Sequence, residues 1–304
     1  MSAFLVALTV IGAAAIVWSA CYVGCSFDPG SAVSDYYQYQ STVLSTPGLV
    51  AFWPLDDTSG TVAADLGPNH FNGTYTAGPD VPTSPGTFTL NQANIVPGDT
   101  VSMNGGPAAP NPCVYFNGGY VSVPWQAALS PPTPAQFTLE AWVVPNWTLA
   151  DAQNNPSVRA VAGAAPALGT PQVFSGFLLF ASTDNLWSAA VGIGPQDVIV
   201  TTGNNQTIVQ GSLYFLVLTY DGSTLTLWVN PVDTTQPPDG MAAASGYVPI
   251  PSPVSFYIGQ GRPDLPTPEF PFNGSIQDVA FYNVVLDGKT IEKHYLNGSG
   301  MQMS

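Results

Sequence analysis

The stretch that most narrows what this chain can fold into lies past its middle. Leu213 to Tyr220 is a nearly continuous apolar run, Asp221-Gly222 breaks it, and Leu225, Leu227 and Val229 then alternate with Thr224, Thr226 and Trp228. Asp-Gly suits a tight turn, and a period of two puts one set of side chains on one face of a sheet. This is a β-hairpin, and a hairpin needs further strands or a covering layer to be stable in water. The same pattern recurs along the chain. Gly48 to Leu55, Val173 to Ala181, Val254 to Gly259 and Ser275 to Tyr282 read as strands. In Gln136 to Val144, Phe137, Leu139, Ala141 and Val143 alternate with Thr138, Glu140 and Trp142. One helix is expected near Gly288 to Leu296. Gly and Pro, 30 of each, cluster at 78–86, 105–112, 130–134, 163–171, 231–240 and 249–253, which read as surface loops.

The 304 residues allow one large all-β domain of about 250 residues with a short appendage. The apolar fraction of 45% is ample for its core. Only Arg159, Arg262, Lys289 and Lys293 are basic, against 19 acids, giving a net charge of −15. No basic patch is available to neutralise phosphates, so a nucleic-acid partner is excluded, and anionic lipid has nothing to attract it. Contacts with partners are expected to rest on apolar burial, aromatic side chains and backbone hydrogen bonds, and so to be insensitive to salt.

Residues 3–24 carry no charge. About 20 helical residues span a hydrocarbon core, so this stretch reads as a transmembrane or anchor helix. A cleaved signal peptide is the alternative, but Met1-Ser2 supplies no basic start and the apolar run is long. Ser19-Ala20-Cys21 loosely matches the end of a lipobox, with Trp18 where that motif wants Leu. Cys21 and Cys25 share a helix face, and Cys113 stands alone, so no disulfide framework is implied. The first basic residue is Arg159, which leaves topology open, with the acidic domain expected outside. Tyr36, Tyr37 and Tyr39 suit either an interfacial aromatic belt or packing in a stalk. The organisation is therefore an anchor over 1–25, a linker over 26–47, a β domain over 48–298 and a tail over 299–304.

Five blocks resemble LamG-like domains of the concanavalin A-like lectin/glucanase type, in family order. They are GLVAFWPLDD (48–57), TSGTVAADLGPNHFNGTYT (58–76), FTLEAWV (137–143), LTYDGSTLTLWVN (218–230) and FNGSIQDVAFYNVVLDGKTIEKHY (272–295). The resemblance implies an antiparallel β-sandwich, a jelly roll, behind the N-terminal hydrophobic helix. It implies function only loosely, because this fold hosts lectins, glycosidases, adhesion modules and viral structural proteins.

Glucanases of this architecture carry their carboxylates as E-x-D-x-x-E on one strand, and that pattern is absent here; the glutamates are Glu140, Glu269 and Glu292. Glu140 reads as a strand residue facing solvent or a hydroxyl, and His70 and His294 as surface or packing residues. No catalytic residue is assigned. The family resemblance implies a calcium between a loop and the closing strand; Asp65, Asn69 and Asn72 match the loop, Gln277 holds the usual acidic position, and Asp278 lies one residue away. Sequons at Asn72, Asn146, Asn205, Asn273 and Asn297 mark candidate glycosylation sites in a glycosylating host. The reading is of a membrane-anchored, surface-displayed module that binds glycan or protein through loop aromatics such as Trp125, Trp147 and Trp187. The alternatives are a structural protein of a virion, packed against neighbouring subunits, and, with least support, a glycoside hydrolase.

Overall fold

The computed structural model describes residues 38–81, 84–101, 109–203, 205–262, 265 and 269–301. The apolar stretch 3–24, Cys21, Cys25, Tyr36 and Tyr37 lie outside the described residues. Among the described residues no helix is long and apolar enough to cross a membrane.

Two antiparallel sheets pack face to face. The first contains β1 (Leu49–Trp53), β4 (Gly78–Val81), β5 (Ser84–Gln92), β6 (Cys113–Asn117), β8 (Phe137–Pro145), β13 (Tyr214–Tyr220), β14 (Thr224–Val229), β15 (Gly240–Ala243) and β17 (Asn273–Tyr282). Its order is β15-β14-β13-β8-β17-β6-β5-β4, with β1 paired to the far end of β17. The second contains β2 (Val62–Ala63), β3 (Gly73–Thr76), β7 (Tyr120–Val123), β9 (Arg159–Ala164), β10 (Phe177–Ala181), β11 (Trp187–Gly192), β12 (Asp197–Thr201) and β16 (Phe256–Ile258), in the order β12-β11-β10-β9-β16-β7-β3-β2. The hairpin at Asp221-Gly222 is β13–β14, with Leu218 opposite Leu227. The α-helices among the described residues are α1 (Gln38–Ser45), α2 (Leu149–Asn154) and α3 (Gly288–Ser299).

The alternation along β8 explains the layering. Phe137, Leu139, Ala141 and Val143 enter the core between the sheets with Leu216 and Phe281, and all six are fully buried. Phe137 anchors this core through ring contacts with Phe177, Tyr220, Tyr247 and Phe281. A fully buried side chain of this size contributes about 1.5–3 kcal/mol. The opposite face of β8 is buried as well. Thr138, Glu140 and Trp142 lie at 0% exposure beneath a second apolar layer that includes Tyr39 and Val43 of α1 and Ile291 and Tyr295 of α3.

That second layer changes the reading of residues 38–45. They fall inside the segment taken for a linker, yet form a helix on the outer face of the first sheet. Tyr39 is fully buried, with its ring edge-on to Trp142 at 5.8 Å, so for this residue the interfacial belt gives way to packing within the domain. Gly298 lets α3 lie flat against Trp142, because a Cβ there would strike the indole ring.

Candidate functional site

The tryptophans expected to bind ligand do not form an exposed platform. Trp147 and Trp187 are 3% and 1% exposed and pack in the core, ring against ring at 6.3 Å. The Trp147 indole N–H donates to Asn185 Oδ1 at 2.7 Å, and the Arg159 guanidinium sits 4.8 Å above its ring. Trp125 is half-buried against the core, its N–H donating to the Ile250 carbonyl at 3.2 Å. An indole suits either core or platform, and here burial took all three inward, with the N–H satisfied in Trp125 and Trp147 and unpartnered in Trp187.

The calcium loop is built to do without a metal. The Asp65 carboxylate accepts the backbone N–H groups of Phe52 (2.7 Å), Gly67 (2.7 Å) and Phe71 (2.6 Å). Asn72 Oδ1 accepts from Asp65 N at 2.9 Å, and Asn69 Nδ2 donates to the Val50 carbonyl at 2.8 Å. N–H groups aimed at the carboxylate occupy the directions a cation would need, so these residues do not fit calcium. Asp278 belongs elsewhere. It sits at φ +54 beside the irregularity where β17 meets β8, fully buried, and its charged neighbours are Asp99, Asp56 and Glu140. Neither of its carboxylate oxygens has a hydrogen-bond partner, and burial pushes its pKa well above the usual carboxylate range. Among the described residues no group of His, Cys, Asp and Glu could hold a metal ion.

Beneath α1 and α3 lies a polar layer that sequence reasoning missed. His294 Nδ1 meets Glu140 Oε2 at 2.9 Å, Tyr282 donates to Glu140 Oε1 at 2.9 Å, and His294 Nε2 meets Thr46 Oγ1 at 2.9 Å. Glu140 therefore faces neither solvent nor a hydroxyl alone, and His294 is a partnered core residue at 0% exposure. Hydroxyl, imidazole and carboxylate stand in the order of a nucleophilic triad, but the hydrogen bonds run the other way. Thr46 Oγ1 gives its proton to the Thr42 carbonyl at 2.7 Å, leaving its oxygen to accept from His294. A ring nitrogen that donates to the hydroxyl cannot also take its proton. The signal was present in the sequence: Glu140 lies inside an apolar strand, and His294 follows Ile291 by three positions on the buried face of a helix.

Two further ties bind α1. Gln40 Nε2 donates to Asp99 Oδ2 at 3.2 Å, and Asn297 Nδ2 donates to Thr42 Oγ1 at 2.9 Å. Asp99 also accepts from Asn111 and from Gln277, yet burial outweighs these bonds and pushes its carboxyl up to about 6. Cys113 is buried, donates to the Ala93 carbonyl, and has its thiol pushed up to about 11 by burial. Of the sequons, Asn72, Asn146 and Asn205 are exposed and Asn273 is half-buried. Asn297 is 8% exposed with its amide nitrogen committed to Thr42, so the folded domain leaves no room for a glycan there.

The outer face of the second sheet is different in kind. Backbone register aligns Val62, Thr74, Ser122 and Tyr257 across β2, β3, β7 and β16. The row continues through Gly163, Leu178, Ala190 and Ile199 on β9, β10, β11 and β12. Their strand neighbours Ala63, Tyr75, Val121 and Ile258 point into the core, so this row points out. Phe270 covers Leu178 and Ala190. The other half stays partly open: Val62 is 53% exposed, Thr74 is exposed, and Ser122 and Tyr257 are half-buried. Tyr120 lies diagonally across from Tyr257, ring edge to ring face at 5.5 Å. The row carries no carboxylate and no cation.

An open cleft of about 890 Å³ lies between the β14–β15 loop and the start of α3, lined by Lys289 and Lys293, by Asp233 and Asp287, and by Thr234 bonded to Glu292.

A family model described as the concanavalin A-like lectin/glucanases superfamily matches residues 117–292. No curated protein matches the chain in sequence. Among solved structures, the binding domain of Paraclostridial Mosquitocidal Protein 1 is similar at 13% identity and a TM-score of 0.51, over 82% of this chain and 52% of that one. A mutant of Trypanosoma rangeli sialidase displaying trans-sialidase activity is similar at 19% identity and a TM-score of 0.50, over 88% of this chain and 38% of that one. Trypanosoma rangeli sialidase in complex with the inhibitor DANA gives 18% identity and a TM-score of 0.49, over 83% of this chain. The chain spans about a third of that sialidase's length, 33%. At these identities the likeness is one of fold.

Proposed function

Because this chain belongs to the concanavalin A-like lectin/glucanases superfamily, we propose that it is a non-catalytic binding module, displayed at a surface, that recognises a glycan or protein partner. The observation that carries this reading is the contrast between the two outer faces. On the first sheet, Glu140 of β8 and Asp278 of β17 are sealed at 0% exposure beneath α1 and α3. The row across the second sheet is open over half its length and has no carboxylate to act as acid, base or nucleophile. Most glycoside hydrolases use two carboxylates flanking the substrate, about 5–9.5 Å apart depending on mechanism. Without them a saccharide is held and released unchanged.

Incubating the full chain with a saccharide it binds tests this. The saccharide is expected back intact, and protein-dependent release of reducing ends would overturn the non-catalytic reading. Residues 3–24 support tethering to a membrane with the β domain outside. The intact mass of native protein is expected to include them; a mature start at or after Tyr22 would overturn the anchor.

A further inference from the structure

We propose that Tyr120 and Tyr257, with the hydroxyls of Ser122, Thr74 and Thr76, form a stacking platform for a neutral saccharide on the outer face of the second sheet. The proposal rests on the binding-module reading and gives it a site and a ligand class.

The register places these groups together. Thr74 and Tyr257 both pair with Ser122, and Thr76 pairs with Tyr120, so two rings and three aliphatic hydroxyls share one face of three adjacent strands. Tyr257 is also opposite Gly163, which has φ +132 and cannot take a side chain without driving it into the Phe177 carbonyl. Nothing from β9 therefore crowds the Tyr257 ring on that side. A phenol ring offers an apolar face to sugar C–H groups and a hydroxyl to sugar oxygens, while Ser and Thr both donate and accept.

The other ligand classes fit less well. A charged ligand finds no counter-charge among these five side chains. An extended peptide cannot add to the sheet there, because β7 and β16 are interior strands whose backbone groups are already paired on both sides. A greasy partner would meet Val62 as the exposed large apolar side chain beside three hydroxyls. A neutral polyhydroxylated ring with one apolar face matches what is left. This pair also replaces the tryptophans as platform, and the sequence carried the signal: in Tyr120-Val121-Ser122-Val123 the valines alternate with tyrosine and serine.

The test is calorimetric titration of the full chain with laminarihexaose, cellohexaose, mannohexaose and chitohexaose, beside sialyllactose as a charged comparator. At least one neutral hexasaccharide is expected to bind. Tyr120→Ala and Tyr257→Ala should each weaken it about tenfold, while Tyr257→Phe keeps the ring and stays within about threefold. Thr74→Arg, at an exposed position where the fold is undisturbed, should block the face and lower affinity as well. Lys289→Ala with Lys293→Ala, in the open cleft, should leave binding unchanged. Undiminished binding in Thr74→Arg and in a folded Tyr120→Ala/Tyr257→Ala double variant would overturn the platform while the binding-module reading stands. Binding of sialyllactose alone would overturn the neutral class. Binding of none of the five would overturn the saccharide reading itself.

Discussion

The two outer faces of this sandwich use the same backbone geometry for opposite ends. On the first sheet, α1 and α3 cover β8 and β17, and ionisable groups are drawn into the covered layer: Glu140 against His294, Asp99 among three amides, and Asp278 with no partner. On the second sheet, one half is apolar, covered by Phe270 but with Ile199 exposed at its edge, and the other half carries only phenols, hydroxyls and Val62. Ionisable groups thus sit where water cannot reach on the first face and are absent from the row across the second. A buried charge stabilises only when paired, whereas an uncharged open face costs little to leave exposed. The first face should therefore dominate stability and the second should dominate binding.

The largest expected effect separates the faces by stability. His294→Ala removes the imidazole facing Glu140 and should cost about 3–5 kcal/mol in denaturant unfolding, because it leaves a buried carboxyl with the Tyr282 hydroxyl alone. Tyr257→Ala on the open face should cost about 1 kcal/mol or less. Pairing Glu140→Met with His294→Leu should recover most of the His294→Ala loss, since apolar replacement of both partners removes the uncompensated charge. Equal losses at His294 and Tyr257 would erase the contrast. Leu216→Ala, between the sheets and independent of either face, should cost about 2–5 kcal/mol and so calibrates both.

A smaller effect appears with pH. Asp99 titrates at about 6 in the folded chain against an ordinary value of 3.8, and Asp278 is raised further in the same direction. A carboxyl raised on folding binds its proton more tightly in the folded state. Its contribution is fully present below the unfolded value and is lost as pH rises through the folded one. Through Asp99 alone, unfolding free energy should therefore rise by about 2 kcal/mol as pH falls from about 7.5 to about 4.5, and Asp278 adds in the same direction. Asp99→Asn should flatten part of that slope. Stability that falls steadily over the same interval would contradict the placement of these groups. The smallest effect lies on the second face: saccharide affinity should shift by less than about threefold between low and high ionic strength, there being no charge in the row to screen. A tenfold loss would point instead to the lysines at the mouth of the cleft.

Much of the fold was legible because its central strands obey simple rules. The β13–β14 hairpin follows from Asp221-Gly222 between alternating runs, and the inward set of β8 follows from its period of two. The helix α1 was not legible. Gln38–Ser45 has little amphipathic character of its own, and what makes it a helix on the sheet is Tyr39 against Trp142 and Gln40 against Asp99, contacts distant in sequence. The site was less legible than the fold for a similar reason. Tryptophan tolerates either environment, so sequence could not sort Trp147 and Trp187 into the core. The matching loop Asp65–Asn72 looked like a cation cradle until its carboxylate was seen to collect three backbone N–H groups. Tyr120 and Tyr257 are 137 positions apart, and only strand pairing brings them together.

Hydroxyl-radical footprinting of the native full chain, read by mass spectrometry at each tyrosine, tests the division of the two faces most directly. Tyr120 and Tyr257 are expected to be oxidised, and to be protected when the saccharide is bound. Tyr39, on the buried side of α1, and Tyr282, beneath the helices, are both at 0% exposure and are expected to remain unmodified until the protein unfolds. Oxidation of Tyr39 and Tyr282 in the native protein at rates matching Tyr120 and Tyr257 would mean that the first face is open, and would contradict the account.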